Sequence, residues 1–211
     1  MADVFRDLVM DACCLINLYA AKRILVHAPP PKSTPPRRKI IRPDSAKAVN
    51  LRPALPFKLH VTAEVIEETL FIRKPDEEDD GKLIEAVIDL APIISNGLLH
   101  SCELHDQAEI DLFVQLAATL DDGEAASMAI AKCRSWGLAS DDRKARRQAG
   151  QLGVTLLTTA ELVKEWAENT SASDADVATV LQNIQNFARF IPHRTMPLHK
   201  WWLDAASKLP R

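Results

Sequence analysis

Carboxylates recur along this chain in places where a fold puts reactive groups. Asp11 follows the apolar run Leu8-Val9-Met10, and Glu68 (with Glu64 and Glu67) comes shortly after Leu59-His60-Val61. Glu124 follows Gly123 at the start of a small-residue helix, and Asp141-Asp142 end the run Gly137-Leu138-Ala139-Ser140. If these ends meet at one edge of a sheet, the carboxylates converge. Like charges that close raise one another's pKa unless a cation neutralises them. Hard divalent ions with oxygen ligands, Mg²⁺ or Mn²⁺, suit such a cluster. One or two of them would activate water for in-line attack on a phosphodiester, with no side-chain nucleophile required. Asp11 has the weakest alternative explanation, because an unpaired acid among Val9, Met10 and Cys13 is costly to bury. Glu124 alone could serve its helix dipole, Asp142 could cap the next helix, and Glu64 and Glu67 read as surface residues.

The elements that must position these acids alternate. A first βα unit covers roughly Phe5 to Leu25, and a short strand follows at Lys58 to Val61. Thr62 is placed to cap a helix from Ala63 to Arg73, and a second amphipathic helix is expected over Lys82 to Leu90. Leu98 to Leu104 reads as a strand after the turn signal Asn96-Gly97. Helices are expected over Gln107 to Leu120, Ala125 to Ser135 and Arg143 to Gln151. Gly137 to Ser140 and Gly153 to Leu157 read as short strands, and a further helix begins after Thr158 or Thr159. Repeated βα units predict an α/β fold, with a mostly parallel sheet and helices on both faces. After Asn169, a Thr-Ser-Ala-Ser linker leads to a helix from about Asp174 to Phe190. A tail carrying Trp201-Trp202 ends the chain and is expected to pack onto the domain. The division is therefore 1–169 for the main domain and 170–211 for a C-terminal helical extension.

Bulk properties set limits. The 211 residues, 47% of them hydrophobic, suffice for one sizeable core. No run is long and apolar enough for a bilayer span, and no leader pattern opens the chain, which suggests the cytoplasm. The four cysteines lack paired spacing, so zinc is not expected; Cys13 and Cys14 read as buried thiols. Net charge is only -3, but the charges are segregated. Ten Lys/Arg against Asp44 lie between Lys22 and Lys58, and 17 Asp/Glu against three Lys/Arg lie between Val61 and Ile130. Such segregation accompanies either a polyanion-binding surface beside a cation-binding one or simply a solvated basic loop and solvated acidic helix faces. Residues 27–56 are also rich in Pro, which rules out a regular helix or central strand there, so they form a basic insertion.

The ordered motifs resemble those of PIN-domain ribonucleases. Asp-Ala-Cys-Cys-Leu-Ile-Asn-Leu at 11–18 looks like the family's opening motif, and Val65-Ile66-Glu67-Glu68 like its second acidic motif. Asp122-Gly123-Glu124-Ala125-Ala126-Ser127-Met128-Ala129 resembles the third, and Ser140 to Ala149 the fourth. The resemblance implies a three-layer α/β/α domain and Mg²⁺- or Mn²⁺-dependent cleavage of RNA. By the same matching, Asp11, Glu68 (or Glu67), Glu124 and Asp141, with Asp142, would hold the metal. Thr158 or Thr159 matches a small hydroxyl residue that orients a ligand or phosphate. Arg143, Lys144, Arg146 and Arg147 would engage RNA phosphates. Many bacterial relatives are toxins with antitoxin partners and dimerise, so an antitoxin and a homodimer are implied. Two other readings remain: an inactive PIN scaffold that binds RNA or protein, and a metal-dependent DNA nuclease.

Overall fold

The computed structural model describes residues 6–21, 55–68, 70–76 and 82–208. The basic, Pro-rich insertion at 27–56 lies outside the described residues, except for Leu55 and Pro56. In chain order the first elements are β1 (Asp7–Met10), α1 (Ala12–Ala20), β2 (Lys58–Thr62), α2 (Ala63–Glu67), β3 (Phe71–Pro75) and β4 (Leu83–Val87). Next come α3 (Ala91–Ser95), β5 (His100–Cys102), α4 (Gln107–Leu116), α5 (Asp122–Cys133) and β6 (Gly137–Ala139). The chain continues through α6 (Arg143–Leu152), β7 (Leu156–Leu157), α7 (Thr159–Thr170), α8 (Asp174–Asn183), a π-helical turn (Ile184–Ala188) and α9 (His199–Ala206).

A five-stranded, wholly parallel sheet in the order β5-β2-β1-β6-β7 forms the centre. β1 is its middle strand, and Leu8, Val9 and Met10 are all fully buried. A strand covered on both faces reads as a continuous apolar run, which is why this tripeptide carries no alternation. One face packs on α1, α7 and α8 through residues such as Leu15, Leu18, Val163 and Leu181. The other packs on α4, α5 and α6 through Val9, Leu116, Met128, Leu138 and Ala145. This is the expected three-layer α/β/α arrangement. Because every strand of the sheet is parallel, all of their C-terminal ends lie at one edge. The order also reverses at β1, since the chain builds β2 on one side of it and returns to lay β6 on the other. Open sheets bind ligands in the crevice at such a point.

One expected helix is cut short and another is replaced where β3 and β4 pair. α2 ends at Glu67, and Glu68 turns to extended backbone (φ -66, ψ 136), instead of lying inside a helix that runs to Arg73. The segment expected as a second amphipathic helix is β4, paired antiparallel with β3. The physical reason is the two-residue period: exposure alternates strictly along β4, and cross-strand partners match, with Phe71 opposite Val87 and Arg73 opposite Glu85. At the C-terminus α8 stops at Asn183, and the π-turn closes on Arg189 in the left-handed region (φ 56). Trp202 is fully buried, edge-on to Phe190 at 5.7 Å, so the tail packs onto the core. No helix of the described residues is long and apolar enough to cross a membrane.

Candidate active site at the C-terminal edge of the sheet

Three helices begin at the reversal point, each capped by an aspartate. Asp11 ends β1 and accepts from Ala12 N at 2.7 Å, capping α1. Asp121 caps α5 by accepting from Glu124 N at 2.8 Å. Asp142 caps α6, accepting from Lys144 N (2.6 Å) and Ala145 N (3.0 Å). A helix N-terminus presents unpaired N–H groups and a partial positive charge, so three of them can hold acids together that would otherwise separate.

Glu68 and Glu124 complete the cluster. A Cβ on Gly123 would collide with Glu68 Oε1, so the glycine lets that carboxylate settle directly on the first turn of α5. The packing of α2 on α5, with Val65 near Gly123, brings the extended turn after α2 over that helix end. Desolvation raises the Glu68 pKa, and the charges of Asp121 and Asp11 raise it further. Glu124 is pushed up to about 7 by burial, then by Asp121, Asp11 and Asp142. Burial also raises Asp11 against the lowering effect of hydrogen bonds from Ser140, Cys13 and Ala12.

No Lys or Arg of the described residues forms an ion pair with any of these carboxylates. Elsewhere in the same fold a buried acid is treated differently. Glu109, 1% exposed, accepts from Arg134 at 2.6 and 3.0 Å and from His105 N at 2.8 Å, and the guanidinium holds it down at about 2. Among the described residues, Glu109 has a guanidinium partner and the carboxylates at the sheet edge have none.

Asp141 stands apart from that group. Its Oδ1 accepts from Thr159 N (3.0 Å), while Oδ2 accepts from Thr159 Oγ1, Asn17 Nδ2 (3.1 Å) and Cys14 Sγ (3.4 Å). Burial raises its pKa and these donors work against that. Its neighbours tie it to Asp11: Ser140 Oγ donates to Asp11 Oδ2 at 2.7 Å, and Asp141 N donates to Cys13 Sγ at 3.2 Å. Thr159 therefore contacts an acid, whereas Thr158 is occupied in a capping box with Glu161 at the start of α7.

A family model described as a PIN domain matches residues 40–197. The chain belongs to the PIN-domain family. The match takes in Glu68, Glu124, Asp141 and Thr159 and begins beyond Asp11, whose place rests on the geometry above. No curated protein and no solved structure matches the chain. PIN domains are generally nucleases and typically bind divalent metals, and an acidic cluster is present here.

Within this PIN domain, Asp11 lies near enough to raise the pKa of both Glu68 and Glu124, and Asp142 acts on Glu124, but among the described residues these carboxylates do not bring three ligand oxygens within 4.8 Å of one another. Glu67 and Glu68 are both exposed, and Glu68 is the one whose carboxylate lies against Gly123. Glu64 does not share a helical face with Glu68, because α2 ends first; its Oε2 is buried without a partner. The residue that sequence reasoning passed over is Asp121. The spacing Asp121-x-x-Glu124 is that of a capping box, which marks Asp121 as an N-cap at the same helix end as Glu124. Cys13 is likewise more than packing, since its Sγ donates to Asp11 Oδ2 at 3.1 Å. Cys13, Cys14 and Asp141 also bring two sulfurs and an oxygen within 4.8 Å of one another. Full burial pushes the Cys14 thiol pKa well above its usual value, and its sulfur donates to Asp141 Oδ2.

Proposed function

We propose that this PIN domain is a metal-dependent endoribonuclease that hydrolyses RNA phosphodiesters, with Asp11, Glu68 and Glu124 as the residues that hold Mg²⁺ or Mn²⁺. Asp142 adds charge to the same site, and Asp141 supports it from the adjoining loop. One observation carries the reading: near the topological switch point Asp11, Glu68 and Glu124 are each raised in pKa by burial and by neighbouring aspartates, with no ion pair to a Lys or Arg among the described residues. The donor set is all carboxylate, which suits hard cations and not thiophilic ones. A bound cation of that class supplies water activation and charge neutralisation at a scissile phosphate. The chain's own part is to hold the acids in register: Ser140 and the α1 N-terminus fix Asp11, Gly123 admits Glu68, and the Asp121 cap orients the first turn of α5 that carries Glu124.

The substrate path follows from α6. Its first residue comes directly after Asp142, and Arg143, Lys144 and Arg147 are exposed while Ala145 and Ala149 are buried against the sheet. RNA lying along this helix would bring a phosphate to the acidic edge. Lys144→Ala or Arg147→Ala is expected to weaken RNA binding across sequences. Each should reduce the slope of log K against log salt by about 0.7 for every phosphate that is no longer neutralised. A titration at several salt concentrations checks this, and an unchanged slope would remove α6 from the path.

We extend this reading to a toxin role in the cytoplasm with a protein antitoxin, a homodimer, and a nuclease unit at 1–169 completed by the extension at 170–211. The direct test is cleavage of an RNA and a DNA panel with Mn²⁺ or Mg²⁺, beside Asp11→Asn. Preference for DNA would replace the RNA reading. Binding of RNA without any metal-dependent cleavage would favour a scaffold.

Gly123→Ala separates placement of the acid from stability of the helix. Alanine is the better helix former by about 1 kcal/mol, which offsets the pressure of its Cβ on Val65 Cγ2 at 3.0 Å, and the other atom it displaces is the end of the flexible Glu68 side chain. The melting temperature should hold or rise while Mn²⁺ affinity falls, because Glu68 has to leave the α5 N-terminus. Unchanged affinity by calorimetry would mean that Glu68 is no ligand.

A further inference from the structure

We propose that Asn17 is a positioning residue for the carboxylate centre, acting through Thr159 and Asp141 on the loop that holds Asp11. The inference rests on the metal-site reading above. Asn17 lies on α1, six residues beyond Asp11, and is 4% exposed. Its Nδ2 donates to both Asp141 Oδ2 (3.1 Å) and Thr159 Oγ1 (3.0 Å), and Thr159 Oγ1 in turn donates to Asp141 Oδ2. With Thr159 N on Oδ1 and Cys14 Sγ on Oδ2, Asp141 has four donors. Three of these donors converge on Oδ2 and one on Oδ1, so the carboxylate is held in place from both α1 and α7. It serves as a latch that joins α1, the start of α7 and the loop after β6.

The latch bears on the site through its two neighbours in sequence. Ser140 donates to Asp11 Oδ2 at 2.7 Å and accepts from Asp142 N at 3.1 Å. Asp141 N also donates to Cys13 Sγ, whose thiol donates to the same Asp11 oxygen. Residues 140–142 are therefore stitched to the α1 N-terminus, and the Asn17–Thr159–Asp141 bonds fix where that stitch falls. Release of the latch lets the loop shift, moving the donor to Asp11 and the α6 start together. Loss of a partner that orients a ligand costs about 10- to 100-fold in metal affinity or activity.

The experiment measures Mn²⁺ affinity by electron paramagnetic resonance for wild type, Asp11→Asn, Asn17→Leu, Thr159→Val and Thr159→Ser, with melting temperature recorded for each. Asn17→Leu and Thr159→Val should each weaken Mn²⁺ binding by about tenfold or more. Thr159→Ser, which keeps the hydroxyl, should stay within about twofold of wild type. A purely structural role would lower the melting temperature and leave Mn²⁺ affinity unchanged, which overturns the proposal. If Asn17→Leu does not fold, Thr159→Val against Thr159→Ser decides on the same criterion. If wild type and Asp11→Asn bind Mn²⁺ equally, the metal site itself is wrong and this inference falls with it. If Asp11→Asn alone weakens binding, the metal site stands and only the positioning role is lost.

Discussion

Asp11→Asn is expected to abolish metal-dependent cleavage and, without metal, to make the protein more stable. The substitution keeps the shape of the side chain. Its carbonyl oxygen still accepts from Ala12 N, so the α1 cap survives, and its amide can donate to Ser140 Oγ, which accepts as readily as it donates. What disappears is a charge that burial and Asp121 both disfavour. The loss of activity should be on the order of a thousandfold, comparable with removing one preorganised electrostatic group from an active site. Relief of the repulsion should raise the melting temperature of the metal-free protein by roughly 2–4 °C for each kcal/mol recovered in a chain of this length. In saturating Mn²⁺ the order should reverse, because only wild type gains stability from the ion. Scanning calorimetry with and without Mn²⁺ tests both halves. A metal-free Asn variant that melts lower than wild type would show that Asp11 is a structural acid and not a strained ligand.

That trade between stability and activity explains which parts of the site could be read from sequence. Asp11 was legible because nothing local to it could neutralise a carboxylate beside Val9 and Met10, so the acid needed a reason. Glu124 was legible from its glycine, although the glycine serves Glu68, whose approach it permits, more than its own helix. Asp121 was not legible as part of the cluster. It looks like an ordinary helix cap, which it also is, and only the arrival of Asp11 and Glu68 from distant segments shows that its charge acts on theirs. For Asp141 the place was legible and the hydrogen-bond partners were not. Its position at a strand end predicts a ligand, but its surroundings come from α1 and α7, more than a hundred residues and about twenty residues away in sequence.

The same distinction holds for the fold. The parallel sheet could be deduced because its inner strands carry short apolar runs (Leu8-Val9-Met10 in β1, Gly137-Leu138-Ala139 in β6) or, in β2, apolar residues about His60, and each is followed by a capped helix. The β3–β4 hairpin could not. Its apolar residues face partly to solvent, its strands are five residues long, and the glutamates before it suggest a continuing helix. Only cross-strand pairing, such as Arg73 with Glu85, settles the period in favour of two.

Metal affinity should fall steeply as the pH drops below 7, and Glu124 sets that point. In the metal-free protein its pKa is pushed up to about 7 from the ordinary 4.5. Between those values the folded state holds a proton that the unfolded chain releases. Stability from this group is therefore fully present below about 4.5 and lost as the pH rises through about 7. Glu124 is only partly buried, so solvent screens this effect, and the larger consequence lies in metal binding. A ligand carboxylate must lose its proton to take the ion. Apparent Mn²⁺ affinity should drop about tenfold for each pH unit below about 7, level off above it, and release about one proton per ion near pH ~6. Glu124→Gln should weaken binding at about pH 8 and flatten the profile between roughly pH 6 and 7, because the group that titrates there is gone. Calorimetry in two buffers of different ionisation enthalpy counts the protons. A wild-type profile already flat from about pH 5.5 to 8 would mean that Glu124 is ionised throughout, and that the crowding at this edge is relieved without a metal.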